Sequence, residues 1–161
     1  ILLEAFEMLQ NKYPETSLKI LGDGPEMGLL KRQVLEKKLE KRVEFFGVVS
    51  SDFIKNLYKI KPVFVNPSFY AEGFQIALLE AVASGLPIIT TSVGGAGELL
   101  EANRSALFVV SRDKKSLFYA MEEYLLFPQK ADTYSSVASR KVKEYFSQEK
   151  MVEKFYRYVF S

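Results

Sequence analysis

The sequence predicts an α/β fold in which a Rossmann-like parallel sheet carries helices on both faces and is followed by a helical tail. Through residues 1–110, short apolar runs alternate with amphipathic segments of helical period, which is the pattern of βαβ units. Residues 111–161 contain helical patterns only. With 161 residues, 48% of them hydrophobic, the chain is long enough to form one domain with a substantial core.

The predicted strands are apolar runs too short for a buried helix and bounded by Gly, Pro, Asn or Asp. They cover residues 18–21, 43–46, 63–66, 87–91 and 106–110. Between them, helices are predicted over 26–39, after a cap at Ser51 or Asp52, over 75–84, and briefly within 97–102. The first helix is indicated by an apolar stripe that ends before Pro14 and consists of Leu2, Leu3, Phe6 and Leu9.

The tail begins with a stripe of Leu117, Ala120, Met121 and Tyr124, which Pro128 interrupts. Two further helices are predicted over 137–146 and 148–160. The last of these is rich in aromatic residues, which indicates either ordinary core packing or a surface for another domain.

The amino-acid composition excludes several kinds of catalytic and binding site. The chain has no cysteine and no histidine, so disulfides, thiolate metal sites and histidine-based triads are excluded. The net charge of +2 does not favour nucleic-acid binding. No apolar run approaches the roughly 20 residues that cross a bilayer. The chain opens inside a helical pattern without a starting methionine, and we therefore expect it to be a piece of a longer protein.

Residues 67–81 are the most informative segment. Glu72 falls in the turn between a predicted strand and helix, followed by Gly73, and Glu80 lies further along the helix. In an open α/β sheet this turn lies at the carboxyl end of a strand, where ligands bind. Helix amino-terminal amides suit a phosphate, and carboxylates accept hydrogen bonds from hydroxyls. A sugar nucleotide has both groups.

The spacing Glu-x7-Glu, written here as Glu72-Gly73-Phe74-x-Ile76-x-x-x-Glu80-Ala81, resembles the signature of the retaining glycosyltransferases of the sucrose synthase and mannosyltransferase type. These enzymes have the two-domain GT-B fold, and the signature belongs to the carboxyl-terminal, donor-binding domain. Four other segments are similar in order and spacing: residues 20–25, 43–49, 83–89 and 93–98.

The resemblance implies a role for each residue of the signature. Glu72 would lie beside the donor sugar as the catalytic residue, positioning it and stabilising charge, with a nucleophilic role less favoured. Gly73, Phe74, Gln75 and Ile76 would contact sugar or phosphate oxygens through their amides. Glu80 would hold the ribose, and its mostly apolar helix leads us to expect a buried carboxylate. Gln75 replaces the small residue common at this position.

Gly22, Gly24 and Val48 are weaker candidates for nucleotide contacts. Gly22-Asp23-Gly24 follows a predicted strand, but Pro25-Glu26-Met27 departs from the Gly-x-Gly-x-x-Gly pattern of an NAD site. Val48 directly follows the next strand and could meet the base. The turn at Gly94-Gly95 with Glu98 is equally compatible with a phosphate-facing turn and with a plain loop.

The family resemblance implies one carboxyl-terminal nucleotide-sugar-binding domain over 1–161, whose first strand and amino-terminal acceptor domain lie outside this chain. It also implies a metal-independent enzyme without a cofactor that uses a nucleotide-diphosphate sugar and a saccharide or lipid-linked acceptor. The last helices would contact the amino-terminal domain. We expect a cytoplasmic protein, either free or peripherally bound to the inner face of the membrane.

The family's Gly-Arg pair and lysine, which clamp the pyrophosphate, would precede Ile1, so we expect this chain alone to be inactive. Three alternatives remain open: a non-catalytic nucleotide-binding module, a scaffold of the same fold, and a sugar-nucleotide epimerase or phosphorylase. The last is disfavoured because those activities usually bring histidine or a lysine-bound cofactor.

Overall fold

The computed structural model describes residues 1–70 and 75–146. Helices and strands alternate as far as β5, and the described residues after it form two helices. The elements are α1 (Leu2–Lys12), β1 (Leu18–Leu21), α2 (Met27–Glu36), β2 (Val43–Gly47), α3 (Ser51–Tyr58), β3 (Phe64–Asn66), α4 (Ile76–Ala83), β4 (Ile88–Thr90), α5 (Ala96–Leu99), β5 (Leu107–Phe108), α6 (Lys114–Leu126) and α7 (Pro128–Tyr145).

All paired strands are parallel, which confirms the predicted fold class. The strands form two sheets, β1–β2 and β3–β4–β5, where the sequence predicts a single sheet. In the described part of the chain, β1 and β3 each keep one edge without a strand partner. Ile20 of β1 and Val65 of β3 nevertheless pack against the same group of buried residues, so the two sheets share a core.

Strand β4 separates the two layers of helices. Successive side chains of a strand point to opposite faces, and Ile88 and Ile89 are both fully buried, one on each face. Ile89 packs with residues of α1 and α6, and Ile88 packs with residues of α4, α5 and α7. The Tyr124 hydroxyl of α6 donates to the Ile88 carbonyl at 3.3 Å and ties the helix to the strand. Helices therefore cover both faces, as predicted.

Several predicted boundaries are corrected by the structure. Helix α7 begins at Pro128, well before the predicted residue 137, because proline is well suited to the first position of a helix. Ser50, rather than Ser51 or Asp52, caps α3, and its Oγ accepts from the Phe53 amide. The predicted helix over 148–160 lies outside the described residues.

The end of α4 agrees with the sequence. Gly85 has a positive φ of 74°, and the Gly85 and Leu86 amides donate to the carbonyls of Val82 and Ala81. This glycine-ended arrangement closes the helix and turns the chain into β4. It fixes α4 between the carboxyl end of β3 and the start of β4, which positions the candidate site.

Candidate functional site

An open depression of about 470 Å³ lies where β3 ends and α4 begins. Asn66 and Ser68 come from the end of β3 and the following loop, and Gln75, Ile76 and Ala77 come from the start of α4. Phe64 completes the lining. The depression is therefore at the carboxyl end of a parallel strand, where the sequence analysis places the ligand site.

Gln75 does not cap the amino-terminal end of α4 with its side chain. Gln75 precedes the helix in an extended conformation, and its side chain accepts no hydrogen bond from the first-turn amides. Its Oε1 instead accepts from Asn66 Nδ2, which ties the helix start to β3. By contrast, Asp113 caps α6 by accepting from the Lys115 and Ser116 amides. Because no side chain of the described residues caps α4, its first-turn amides and the positive end of the helix dipole suit an anionic group.

Helix α4 buries a different face from the one that the sequence predicts. The predicted apolar side contains Ile76, Leu79 and Ala83, but Ile76 is 72% exposed and Ala83 is exposed as well. The buried residues are Leu78, Ala81 and Val82. Most side chains of α4 are apolar, so periodicity alone does not distinguish its two faces. The large apolar side chain of Ile76 therefore faces the depression.

Glu80 is exposed, and the expectation of a buried carboxylate is wrong. It lies four residues after Ile76, hence one turn further along the same face of α4. Glu80 makes no ion pair or hydrogen bond with residues 1–70 or 75–146. Its charge nevertheless reaches Tyr58 of α3, whose pKa is raised first by burial and then by the charge of Glu80. The carboxylate is free to accept hydrogen bonds.

Three residues of the predicted signature, Glu72, Gly73 and Phe74, lie outside the described residues. Their assigned roles remain predictions. The structure does place Ser68 and Gln75 on the lining of the depression.

The other nucleotide-binding candidates lie at the carboxyl ends of β1 and β2. Gly22 has a positive φ of 106°, and its amide donates to the Gly47 carbonyl at 2.7 Å. This bond joins the two loops, and Val48, directly after Gly47, is 85% exposed. Gly24 lies in the β1–α2 turn, where its amide donates to Asp23 Oδ1. Among the described residues, no hydrogen bond links these loops to Gln75 or Asn66.

The loop that follows β3 is held by residues that the sequence analysis passed over. The Arg112 guanidinium lies 4.5 Å from the centre of the Phe69 ring, and Phe69 contacts Tyr70 at 4.2 Å between ring centres. Thr91 holds this loop by donating to the Ser68 carbonyl at 2.6 Å. Arg112 and Phe69 are 43 positions apart, so no sequence spacing could have joined them. Asn66 carried a weak signal, since it is a polar residue at the end of an apolar strand.

Within residues 1–70 and 75–146, no group of three or more acidic side chains is arranged to hold a metal ion. In the same residues, no helix has the length and apolar character required to span a membrane. Glu98 is exposed in the short helix α5, and the two interpretations of the Gly94-Gly95 turn remain open.

Comparison with known proteins decides the family. The family model described as Glycosyl transferases group 1 matches residues 1–155, nearly the whole chain. The chain belongs to this family. The resemblance stated from the sequence is thereby confirmed at the level of the family.

Relatives within the family cover the chain to different extents. The putative colanic acid biosynthesis glycosyltransferase WcaL of Salmonella typhimurium is 31% identical over 157 residues, which is 92% of this chain and 38% of that protein. Mannosylfructose-phosphate synthase of Agrobacterium fabrum is 32% identical over 129 residues, which is 75% of this chain and 28% of that protein. The chain therefore spans well under half the length of these curated relatives.

Solved structures support the fold. Sucrose-phosphate synthase from Thermosynechococcus elongatus matches with a TM-score of 0.83 at 26% identity, covering 98% of this chain and 42% of that chain. Anabaena Alr3699/HepE in complex with UDP matches with a TM-score of 0.83 at 23% identity, covering 94% of this chain and 43% of that chain. The fold is that of one half of a GT-B glycosyltransferase.

Proposed function

We propose that this chain is the donor-binding domain of a retaining glycosyltransferase that transfers a sugar from a nucleotide-diphosphate sugar to a hydroxyl acceptor. The observation that supports it best is the arrangement on α4. The start of α4 after Gln75 and the carboxylate of Glu80, which makes no ion pair with the described residues, flank the exposed Ile76 at the carboxyl end of β3. Amides and carboxylate suit the phosphate and hydroxyls of a sugar nucleotide.

In the proposed reaction, the bond between the anomeric carbon and the donor phosphate breaks, and the nucleoside diphosphate leaves. The acceptor oxygen forms the new bond to that carbon and releases its proton. The amides at the start of α4 would stabilise the charge that develops on the leaving phosphate. Glu72 would orient the sugar and stabilise positive charge at the anomeric carbon, and Glu80 would hold the ribose. Gly22, Gly24 and Val48 would contact the nucleotide.

The division of roles between the two acids can be tested in the full-length enzyme. We expect Glu80→Gln to weaken donor binding, with a raised KM, and Glu72→Gln mainly to lower kcat, because in this proposal only Glu72 acts at the reacting carbon. The matched control is Glu40→Gln, which changes an exposed acid without an ion pair in the described part of the chain. Equal, small effects of both substitutions on both parameters would contradict these roles.

We further propose that the domain works within a longer two-domain enzyme. The aligned part of the chain covers 38% of the Salmonella relative, and β1 and β3 each have one edge without a strand partner in the described residues. One further parallel strand, from sequence outside residues 1–161, would join them into a continuous sheet.

Hydrogen exchange tests this proposal. Amides on the free edges of β1 and β3 should exchange quickly in this chain and slowly in a longer chain. Equal rates would contradict it.

A nucleotide titration separates the enzyme from a scaffold or a nucleotide-binding module of the same fold. Calorimetry with UDP, GDP and ADP should show binding of one nucleotide to the full-length protein, and Glu80→Gln should weaken it. Binding of none would favour the scaffold.

The name of the Salmonella relative supports an acceptor in polysaccharide synthesis. A cytoplasmic enzyme without a metal cofactor is part of the same proposal.

A further inference from the structure

A second concave site lies at the other end of α4. This groove of about 670 Å³ is formed by the carboxyl-terminal end of α4, the carboxyl-terminal half of α7 and the loop before β3. Lys61 lies just before β3, and Gly85 lies just before β4. The groove is therefore at the amino ends of these strands, whereas the donor depression is at the carboxyl end of β3. The two sites share the helix but no lining residue.

Three cations of the groove have no ion-pair partner among the described residues. Lys61 comes from the α3–β3 loop, and Arg140 and Lys143 come from α7. None of them makes an ion pair or a side-chain hydrogen bond with residues 1–70 or 75–146. The groove has one acid among its lining residues, Glu144, against these three cations. The groove therefore carries an excess of positive charge in a concave surface, which concentrates the field.

The side chains that line the groove are either polar or small. Ala83 is the largest apolar side chain among the lining residues, and none of them is aromatic. The amide of Ser84 donates to the Glu80 carbonyl, but its hydroxyl has no hydrogen-bond partner in the described part of the chain and can donate to a ligand. The carbonyls of Ala81 and Val82 at the end of α4 are already bonded by Leu86 and Gly85. These features suit a hydrophilic anion and do not suit an apolar ligand.

We propose that this groove binds the phosphate or diphosphate group of a small metabolite, at a site separate from the donor depression. Arg140 would supply paired donors to phosphate oxygens, Lys61 and Lys143 would supply charge, and Ser84 would donate one further hydrogen bond. A diphosphate suits three cations that converge from two elements better than a single carboxylate does. The site needs neither Glu72 nor Glu80.

The test uses the 161-residue chain, with sodium pyrophosphate and inorganic phosphate as probes. Binding is followed by calorimetry and by NMR shifts of backbone amides. We expect pyrophosphate to shift amides near Ser84 and Arg140, and to bind more weakly as salt rises. The double substitution Arg140→Gln with Lys143→Gln should weaken binding by about tenfold or more, because two charge-assisted contacts are lost.

The matched control removes the same charges elsewhere. Arg32→Gln with Lys115→Gln changes an exposed Arg and an exposed Lys that make no side-chain ion pair in the described residues, and it should leave the affinity within about twofold. Circular dichroism checks that both double variants fold. The proposal is overturned if pyrophosphate does not bind, if both double variants weaken its binding equally, or if the shifts lie only near Gln75 and not near Ser84 and Arg140. The affinity for UDP should be unchanged in the variant Arg140→Gln with Lys143→Gln, because the groove and the donor site are separate.

Discussion

The two helix pairs on opposite faces of β4 use their charged residues differently. Between α1 and α6, Lys12 pairs with Glu122 at 2.7 Å and Lys114 pairs with Glu4 at 2.9 Å. Between α4 and α7, the side-chain hydrogen bond found in the described residues runs from Ser139 Oγ to the Ala83 carbonyl, at 3.4 Å. Lys12 and Lys114 stabilise the packing of the first pair, whereas Arg140 and Lys143 of α7 make no ion pair with the described residues and remain available to a ligand.

The side chains that pack these helices differ as well. The α1–α6 side buries large groups such as Phe6, Phe118 and Met121. The α4–α7 side brings together Ala81 and Ala138, both fully buried. Small side chains allow close approach of two helices, and they leave the ends of α4 uncovered. The comparison indicates that the α1–α6 face mainly stabilises the domain and the α4–α7 face mainly serves binding.

The largest expected effect is at Phe6, which is almost fully buried among the α1–α6 residues. Phe6→Ala should lower the free energy of unfolding by about 3–5 kcal/mol, because it leaves a cavity in a packed core. Urea denaturation measures the change. The control is Phe53→Ala, which removes a ring that is 38% exposed and should cost clearly less. Similar losses in both variants would show that the α1–α6 core is not tightly packed.

The α4–α7 face should respond to added volume. Ala138→Leu should lower the free energy of unfolding by about 1–3 kcal/mol, since the larger side chain forces two closely packed helices apart. The same denaturation experiment checks it, with Thr133→Leu on the exposed side of α7 as the control. Should Ala138→Leu prove neutral, the helices would be less closely packed than the burial of Ala138 indicates.

The smallest effect concerns the ion pair of Glu122. The hydrogen bond from Lys12 is the main reason that the pKa of Glu122 lies below its usual value of 4.5. A lowered carboxyl pKa contributes stability above the unfolded-state pKa, and this contribution is lost as pH falls through the folded-state pKa. Between neutral pH and about pH 3, the Tm of the Glu122→Gln variant should therefore fall by less than the Tm of the unsubstituted chain.

Glu40→Gln is the control for this pH experiment, because Glu40 is exposed and makes no ion pair with the described residues. Its Tm should follow that of the unsubstituted chain. Parallel curves for Glu122→Gln and Glu40→Gln would show that the Lys12–Glu122 pair contributes no stability of its own.

Much of the fold could be predicted because its signals are local. The stripe of Leu3, Phe6 and Leu9 predicts α1, the β-branched run predicts β3, and Gly85 predicts the end of α4. Each signal depends on residues a few positions apart. The start of α7 was mispredicted, because Pro128 was interpreted as a break when it also begins a helix.

The site was predictable in part. The chain order of strand, acidic turn and helix placed Gln75 and Ile76 at the carboxyl end of β3, as the structure shows. The exposure of Glu80 was mispredicted, because nearly every neighbour on α4 is apolar and the sequence does not show which face meets the core. Arg112 and the groove at Ser84 were not predicted at all.

The sequence by itself determined the α/β class, the order of the elements and the family, because hydrophobic period, turn residues and the Glu-x7-Glu spacing are local properties. Tertiary structure alone decided which charges are paired. Lys12 meets Glu122 across 110 positions, whereas Lys61 and Arg140 converge on a groove with no partner among the described residues. The spacing of charged residues along the sequence does not reveal which of them pair in the fold. Only the packing of distant helices therefore shows whether a cation is used in an ion pair or is available to a ligand.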